Sequence, residues 1–79
     1  MKEIKLYSEI VLMNDKPLVG LLKGDVGIVV EIYENSDGYE VEFMTKEGKT
    51  VAVETLEPSE IRPISTRDML HIRELEQVA

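Results

Sequence analysis

The chain has 79 residues, which is enough for one small domain and too little for a deep substrate cavity. Sixteen acidic and nine basic residues give a formal net charge of −7, which disfavours nucleic-acid binding through phosphates and suits either a basic partner or simple solubility. The sequence contains no cysteine, which excludes disulfides and thiolate chemistry, and we expect a reducing, cytoplasmic environment.

Five short segments have the apolar, β-branched composition of strands. Strands this short and this few cannot form two large packed sheets, so we predict a mainly β domain built as a small, partly open barrel. No apolar run approaches the roughly 18 residues of a membrane-spanning helix, and we expect no membrane contact. The predicted strands cover residues 9–13, 26–34, 39–43, 50–55 and 61–64.

The turn at residues 35–38 predicts how the second and third strands pair. Its sequence, Asn-Ser-Asp-Gly, is typical of a four-residue hairpin loop. Such a loop places Ile32 opposite Val41 and also brings the apolar residues at even positions from 26 to 32 onto the core face.

Residues 46–48, Lys-Glu-Gly, predict the next pairing in the same way. A three-residue loop that ends in a left-handed glycine places Phe43 opposite Val51 and Val41 opposite Val53. Both predicted registers set apolar residues against apolar residues, and a one-residue slip would expose one of these sets to water. We therefore expect an antiparallel meander of three strands in the middle of the chain.

The same registers place four carboxylates on the outward face of this meander. We expect Glu31 opposite Glu42 and Glu40 opposite Glu54, although like charges in direct opposition are unfavourable. The four residues are therefore candidates for binding a basic partner. An adventitious divalent-cation site and a solvated surface with screened charges are the alternatives.

The loop at residues 17–22 contains four aliphatic side chains, among them Leu18 and Leu21. Either these side chains fold back and cover one end of the barrel, or they form an exposed apolar patch that binds a partner. The first alternative is favoured because so small a domain needs its apolar side chains for the core. Leu18 and Leu21 are the candidate contacts under the second.

Residues 65–79 have a helical pattern. Ser65 and Asp68 have the spacing of a capping box, and we predict a C-terminal α-helix over about residues 66–77. The apolar stripe of this helix would pack on the barrel or on a partner, including a second copy of the chain in a homo-oligomer. The stripe consists of residues at helical spacing, namely Met69, Ile72 and Leu75.

The sequence offers no catalytic, cofactor-binding or metal-binding constellation, and we do not expect an enzyme. His71 is the only histidine, and no second histidine or cysteine completes a metal site. The glycines match neither the dinucleotide-binding pattern nor the phosphate-binding loop. Gly27 lies inside a predicted strand, where glycine indicates a bulge or a close approach of neighbouring atoms.

Residues 22–31, Leu-Lys-Gly-Asp-Val-Gly-Ile-Val-Val-Glu, resemble the KOW motif, in which a glycine-containing turn leads into a strand. Together with Tyr-Glu-Val-Glu-Phe at 39–43 and Leu-Glu-Pro-Ser-Glu-Ile-Arg-Pro at 56–63, they are similar to the bacterial domain-of-unknown-function family 4926. The resemblance covers about residues 8–64 and implies an SH3-like barrel, to which we assign residues 1–64, and a prokaryotic, bacterial source. It also implies that relatives are encoded beside a partner protein. The resemblance assigns no catalytic or binding residue to this chain.

Two functions follow as hypotheses. The first is a non-enzymatic protein–protein interaction module, in one form an antitoxin-like or immunity-like partner of a neighbouring gene product. The second is a KOW-like nucleic-acid-binding module, which would require the scattered basic residues to gather on one face. The strands carry glutamates where an RNA-binding barrel is expected to carry lysine and arginine, so the first hypothesis is preferred.

Overall fold

Five antiparallel strands in one sheet form the framework of the computed structural model, which describes residues 3–35 and 37–75. The order across the sheet is β4-β3-β2-β1-β5. Two short 3₁₀ turns, Pro17–Val19 and Pro58–Glu60, lie in the connections between strands. The mainly β class and the five predicted strands are confirmed. The strands are β1 Glu9–Leu12, β2 Val26–Tyr33, β3 Gly38–Met44, β4 Thr50–Leu56 and β5 Ile61–Pro63.

The sheet does not close into a barrel, because β4 and β5 form its two edges and do not pair with each other. β5 has only three residues and ends at Pro63. Proline has no N–H group to donate to a further strand, so this edge stays short. The open sheet corrects the expectation that the five strands close on themselves.

The turn between β2 and β3 lies one residue earlier than predicted. Asp37 adopts a φ of 52°, the left-handed conformation, so Gly38 begins β3 instead of ending the loop. Ile32 therefore lies opposite Tyr39, and the predicted Ile32–Val41 pair is wrong.

β2 contains a β-bulge in which Val30 is the extra residue after Val29. Because of this bulge, the alternation of side chains changes phase within the strand. Before the bulge Gly27 and Val29 are buried, and after it Ile32 packs against the core. The prediction that the even positions from 26 to 32 share the buried face is wrong for the same reason.

β4 contains a second bulge, at Val51. The turn before it has the predicted register, with Gly48 at the left-handed φ of 90°. Beyond the bulge Phe43 lies opposite Ala52, and the pairing of β4 is shifted by one residue. Val53 consequently faces outward and is 46 % exposed, so its predicted place in the core is wrong.

The core lies on the inner face of the sheet and is covered at one end by the loop between β1 and β2. Leu21 comes from this loop and is buried in the core, and Val19 packs against it. The prediction that the loop covers the core is therefore confirmed for these two residues. The buried cluster consists of Ile10, Leu12, Leu21, Val29, Val41, Phe43, Leu56 and Ile61.

The C-terminal segment contains no α-helix over residues 65–75, so the predicted helix over about 66–77 is wrong for the described part of the segment. Residues 76–79 lie outside the described residues. The apolar side chains of Met69 and Ile72 are 84 % and 97 % exposed. A helix of about 12 residues is marginal in water without packing, and the Met69 and Ile72 side chains of this stripe are not packed against the sheet.

Candidate functional site

Three of the four predicted glutamates share the outer face of β2 and β3. Glu31 lies directly opposite Glu40, and Glu42 is two residues along the same strand as Glu40. Opposite residues and alternate residues in a sheet point to the same side. We call Glu31, Glu40 and Glu42 the acidic face. The predicted pairing of Glu31 with Glu42 is wrong, because the turn between β2 and β3 lies one residue earlier than predicted and sets Glu31 opposite Glu40.

Glu54 lies on the other side of the sheet. It pairs with Val41, a core residue, and it is half-buried. The predicted partner of Glu40 is therefore wrong, since the Val51 bulge places Thr55 opposite Glu40. For the same reason Glu54 does not belong to the acidic face.

Threonine hydroxyls from β4 hold two carboxylates of the acidic face. Thr55 Oγ1 donates a hydrogen bond to Glu40 Oε1, and Thr50 Oγ1 donates one to Glu42 Oε2, each 2.5 Å long. Hydrogen bonds to a charged acceptor are stronger than neutral ones, so both carboxylates have a preferred orientation. The sequence analysis did not identify these threonines. Thr55 lies opposite Glu40 only in the observed register, whereas Thr50 has its predicted position opposite Met44.

Tyr33 lies beside the acidic face, and the pKa of its phenol responds to the charges there. It is two residues along β2 from Glu31 and lies on the same side of the sheet. Partial burial raises the pKa of the Tyr33 phenol, and the negative charges of Glu40 and Glu31 raise it further. The position of this ring beside the carboxylates was not predicted from the sequence.

The arrangement can attract positive charge, but it does not form a metal centre. In the described ranges, no three histidine, cysteine, aspartate or glutamate side chains are grouped so that they could hold a metal ion. The alternative of a divalent-cation site at these glutamates is therefore not supported. Within the same ranges, no helix has the length and apolarity that crossing a membrane requires.

The candidate apolar contacts of the β1–β2 loop have opposite environments. Leu18 is fully exposed at 100 %, whereas Leu21 is only 2 % exposed and belongs to the core. Leu21 is thus not accessible to a partner, which corrects its place among the candidate contacts. Leu18 is exposed because it lies on the outer side of the short 3₁₀ turn Pro17–Val19. The residue after it, Val19, packs inward against the core.

The family model described as domain of unknown function DUF4926 matches residues 6–63. The chain belongs to this family. The DUF4926 match contains all five strands and the whole acidic face, and it ends before the C-terminal segment. No curated protein and no solved structure matches the chain.

Proposed function

We propose that this protein is a non-enzymatic interaction module whose acidic face docks a basic surface of another protein. The observation that carries the proposal is the alignment of Glu31, Glu40 and Glu42 on one side of two central strands. Complementary charge steers two proteins together and selects among partners. The formal net charge of −7 adds a long-range attraction for a basic surface.

The acidic face has no countercharge among the ion pairs of the described residues. A pair of like charges opposite each other in a sheet is unfavourable, so Glu31 and Glu40, which form no ion pair among the described residues, attract an external cation. Lysine and arginine side chains of a partner would supply it. The ion pairs of the described chain lie elsewhere and join Lys16 to Glu60, Arg62 to Asp68 and Arg73 to Asp25.

We also infer that the fold is of the SH3-like kind. The strand order β4-β3-β2-β1-β5 and the 3₁₀ turn at Pro58–Glu60 before the last strand support this arrangement. An SH3-like module that binds the product of a neighbouring gene, in an antitoxin-like or immunity-like role, is one concrete form of the proposed function.

The test compares two doubly charge-reversed proteins. The first carries Glu31→Lys and Glu42→Lys on the acidic face. The control carries Glu3→Lys and Glu47→Lys, which change the net charge equally at exposed positions outside the acidic face. Partners are captured from the native host with the unmodified protein, identified, purified and titrated with all three proteins over a range of salt concentrations.

We expect the first variant to lose at least about tenfold in affinity and most of its salt dependence, because like-charge contacts across an interface cost several kcal/mol. The control should lose much less affinity, because it weakens only the long-range attraction of the net charge, which both variants weaken equally. Equal affinity for both variants would refute the docking face. Retention of RNA or DNA at low salt, with no protein captured, would instead favour the KOW-like alternative.

A further inference from the structure

One edge of the sheet is long and lacks the usual protection against a further strand. β4, Thr50–Leu56, contains neither proline nor lysine, and among the described residues it pairs only with β3. The other edge strand, β5, has three residues and ends at Pro63, which has no N–H group to donate. Short strands, prolines and lysines are the common means of protecting a sheet edge. The β4 edge is therefore the one that can accept another strand.

The backbone groups of Val53 and Thr55 face this open edge. Where β3 meets β4, the Thr45 N–H donates a hydrogen bond of 2.8 Å to the Lys49 carbonyl oxygen. Backbone groups alternate between the two sides of a strand, so every second residue of β3, counted back from Thr45, bonds toward β4. The β4 residues opposite them, beyond the bulge, are Ala52, Glu54 and Leu56. The N–H and C=O groups of the intervening Val53 and Thr55 therefore point away from β3.

Glu54 determines which strand fits at this edge. Its side chain is half-buried on the core side of the sheet, and it forms no ion pair among the described residues. A second copy that paired antiparallel about the middle of β4 would bring its own Glu54 close to this one, together with a further net charge of −7. An inward-pointing charge of this kind disfavours pairing between identical edges. A strand with lysine or arginine opposite Glu54 would form a favourable cross-strand pair.

We propose that the β4 edge binds an extended basic segment of a partner protein by strand addition, antiparallel to β4 and with a lysine or arginine opposite Glu54. The main-chain groups of Val53 and Thr55 bond to the residues on either side of that basic residue. The Val53 side chain, which is 46 % exposed, contacts the added strand on the outer side of the sheet. The basic character of the partner rests on the proposed function, whereas the binding surface is the strand edge and not the acidic face.

The test uses a capped heptapeptide in which valine and lysine alternate. A peptide residue opposite Glu54 directs its own N–H away from β4, because Glu54 bonds toward β3. Methylating the amide nitrogens of the valines therefore removes hydrogen bonds to Val53 and Thr55, whereas methylating those of the lysines leaves them intact. Both methylated peptides carry the same charge. Binding to the full chain is measured by NMR, through the chemical shifts and hydrogen exchange of the Val53 and Thr55 amides.

We expect the lysine-methylated peptide to bind as the unmethylated peptide does. The valine-methylated peptide should bind at least about tenfold more weakly, because several main-chain hydrogen bonds are lost. Glu54→Gln should weaken binding of the unmethylated peptide about two- to fivefold, as expected for one cross-strand charge pair. Glu47→Gln is the matched control, since it changes the net charge equally in the exposed turn before β4, and its effect should be smaller.

Equal binding of the two methylated peptides, or no change at the Val53 and Thr55 amides at millimolar peptide, would overturn the proposal. Without peptide, exchange at these amides that slows with rising protein concentration would mean that a second copy covers the edge, and would overturn it as well.

The Glu31→Lys, Glu42→Lys variant distinguishes this proposal from the docking of the acidic face, because it leaves Glu54 and the β4 backbone unchanged. The same difference between the two methylated peptides in this variant would support binding at the edge even if the acidic face were refuted. Loss of that difference would overturn the edge as a separate site.

Discussion

Gly27 is the residue at which the sheet leaves no room for a side chain. A Cβ atom there would lie 2.5 Å from Val41 Cγ1 and 2.8 Å from Phe43 Cε2. Val41 and Phe43 are themselves buried in the core, so neither can move aside without disturbing other contacts. Close approach of neighbouring atoms, one of the two reasons that the sequence suggested, therefore explains this glycine.

Gly27→Ala is expected to lower the free energy of unfolding by about 1–3 kcal/mol, the typical effect of overpacking a core. Urea unfolding of the single variant, of Val41→Ala and of the double variant measures it. The glycine substitution should be less destabilising in the Val41→Ala background, since the nearest methyl group is gone. An equal loss in both backgrounds would show that the clash with Val41 is not the cause.

Glu60 ties the turn before β5 to the loop after β1. Its Oε1 accepts a hydrogen bond of 2.9 Å from the Glu57 N–H, and its carboxylate forms an ion pair with the Lys16 ammonium group. Both contacts lower the pKa of Glu60, and the hydrogen bond from the Glu57 backbone N–H is the largest single cause. The folded protein therefore favours the ionised form of this side chain.

A lowered pKa fixes the direction of the pH dependence. The stabilisation from Glu60 is complete above the ordinary pKa of 4.5 and is lost as the pH falls through the lower value of the folded state. Glu60→Gln should therefore be less stable than the unmodified protein at pH 7, and the difference should shrink below about pH 4.5. Urea midpoints across this range measure it, with the exposed Glu47→Gln as control. A difference that is constant with pH would contradict the assignment.

At the level of elements, composition predicts where the strands lie but not how they pair. The strands and the Gly48 turn follow from local signals, namely β-branched runs and turn residues. The bulges at Val30 and Val51 carry no such signal, because valine is an ordinary strand residue at both positions. Their locations are decided by how the two strands bend over the core, which involves residues distant in sequence.

In the candidate site, too, the features with a local sequence signal were predicted correctly and those that depend on distant residues were not. The acidic residues were identified from the alternation in β3, which is local, and three of the four share a face. Glu54 was misplaced because its face depends on the Val51 bulge. The capping box at Ser65 was likewise predicted from local spacing, and one half of it is formed: the Ser65 N–H donates to Asp68 Oδ2, whereas Ser65 Oγ accepts from the Arg67 N–H and not from the Asp68 N–H. The helix after it required a packing surface, which the sequence of the segment cannot supply by itself.

For the whole molecule, the balance between self-repulsion and ion pairing sets how salt acts on stability. Among the described residues the core is one cluster of eight buried side chains, so electrostatic effects are a considerable part of a small total. Excess negative charge destabilises the compact state, whereas the described ion pairs stabilise it. The ion pairs are partly exposed, and exposed pairs contribute little, so self-repulsion should dominate.

Raising the ionic strength from about 0.01 M to about 0.15 M shortens the screening length from about 30 Å to about 8 Å. We therefore expect the urea midpoint of the unmodified protein to increase with sodium chloride over this range. The Glu31→Lys, Glu42→Lys variant should show a smaller increase, because its formal net charge changes from −7 to −3 and its acidic face is removed. A midpoint that falls with salt would mean that the ion pairs of Asp25, Glu60 and Asp68 outweigh the repulsion among the remaining carboxylates.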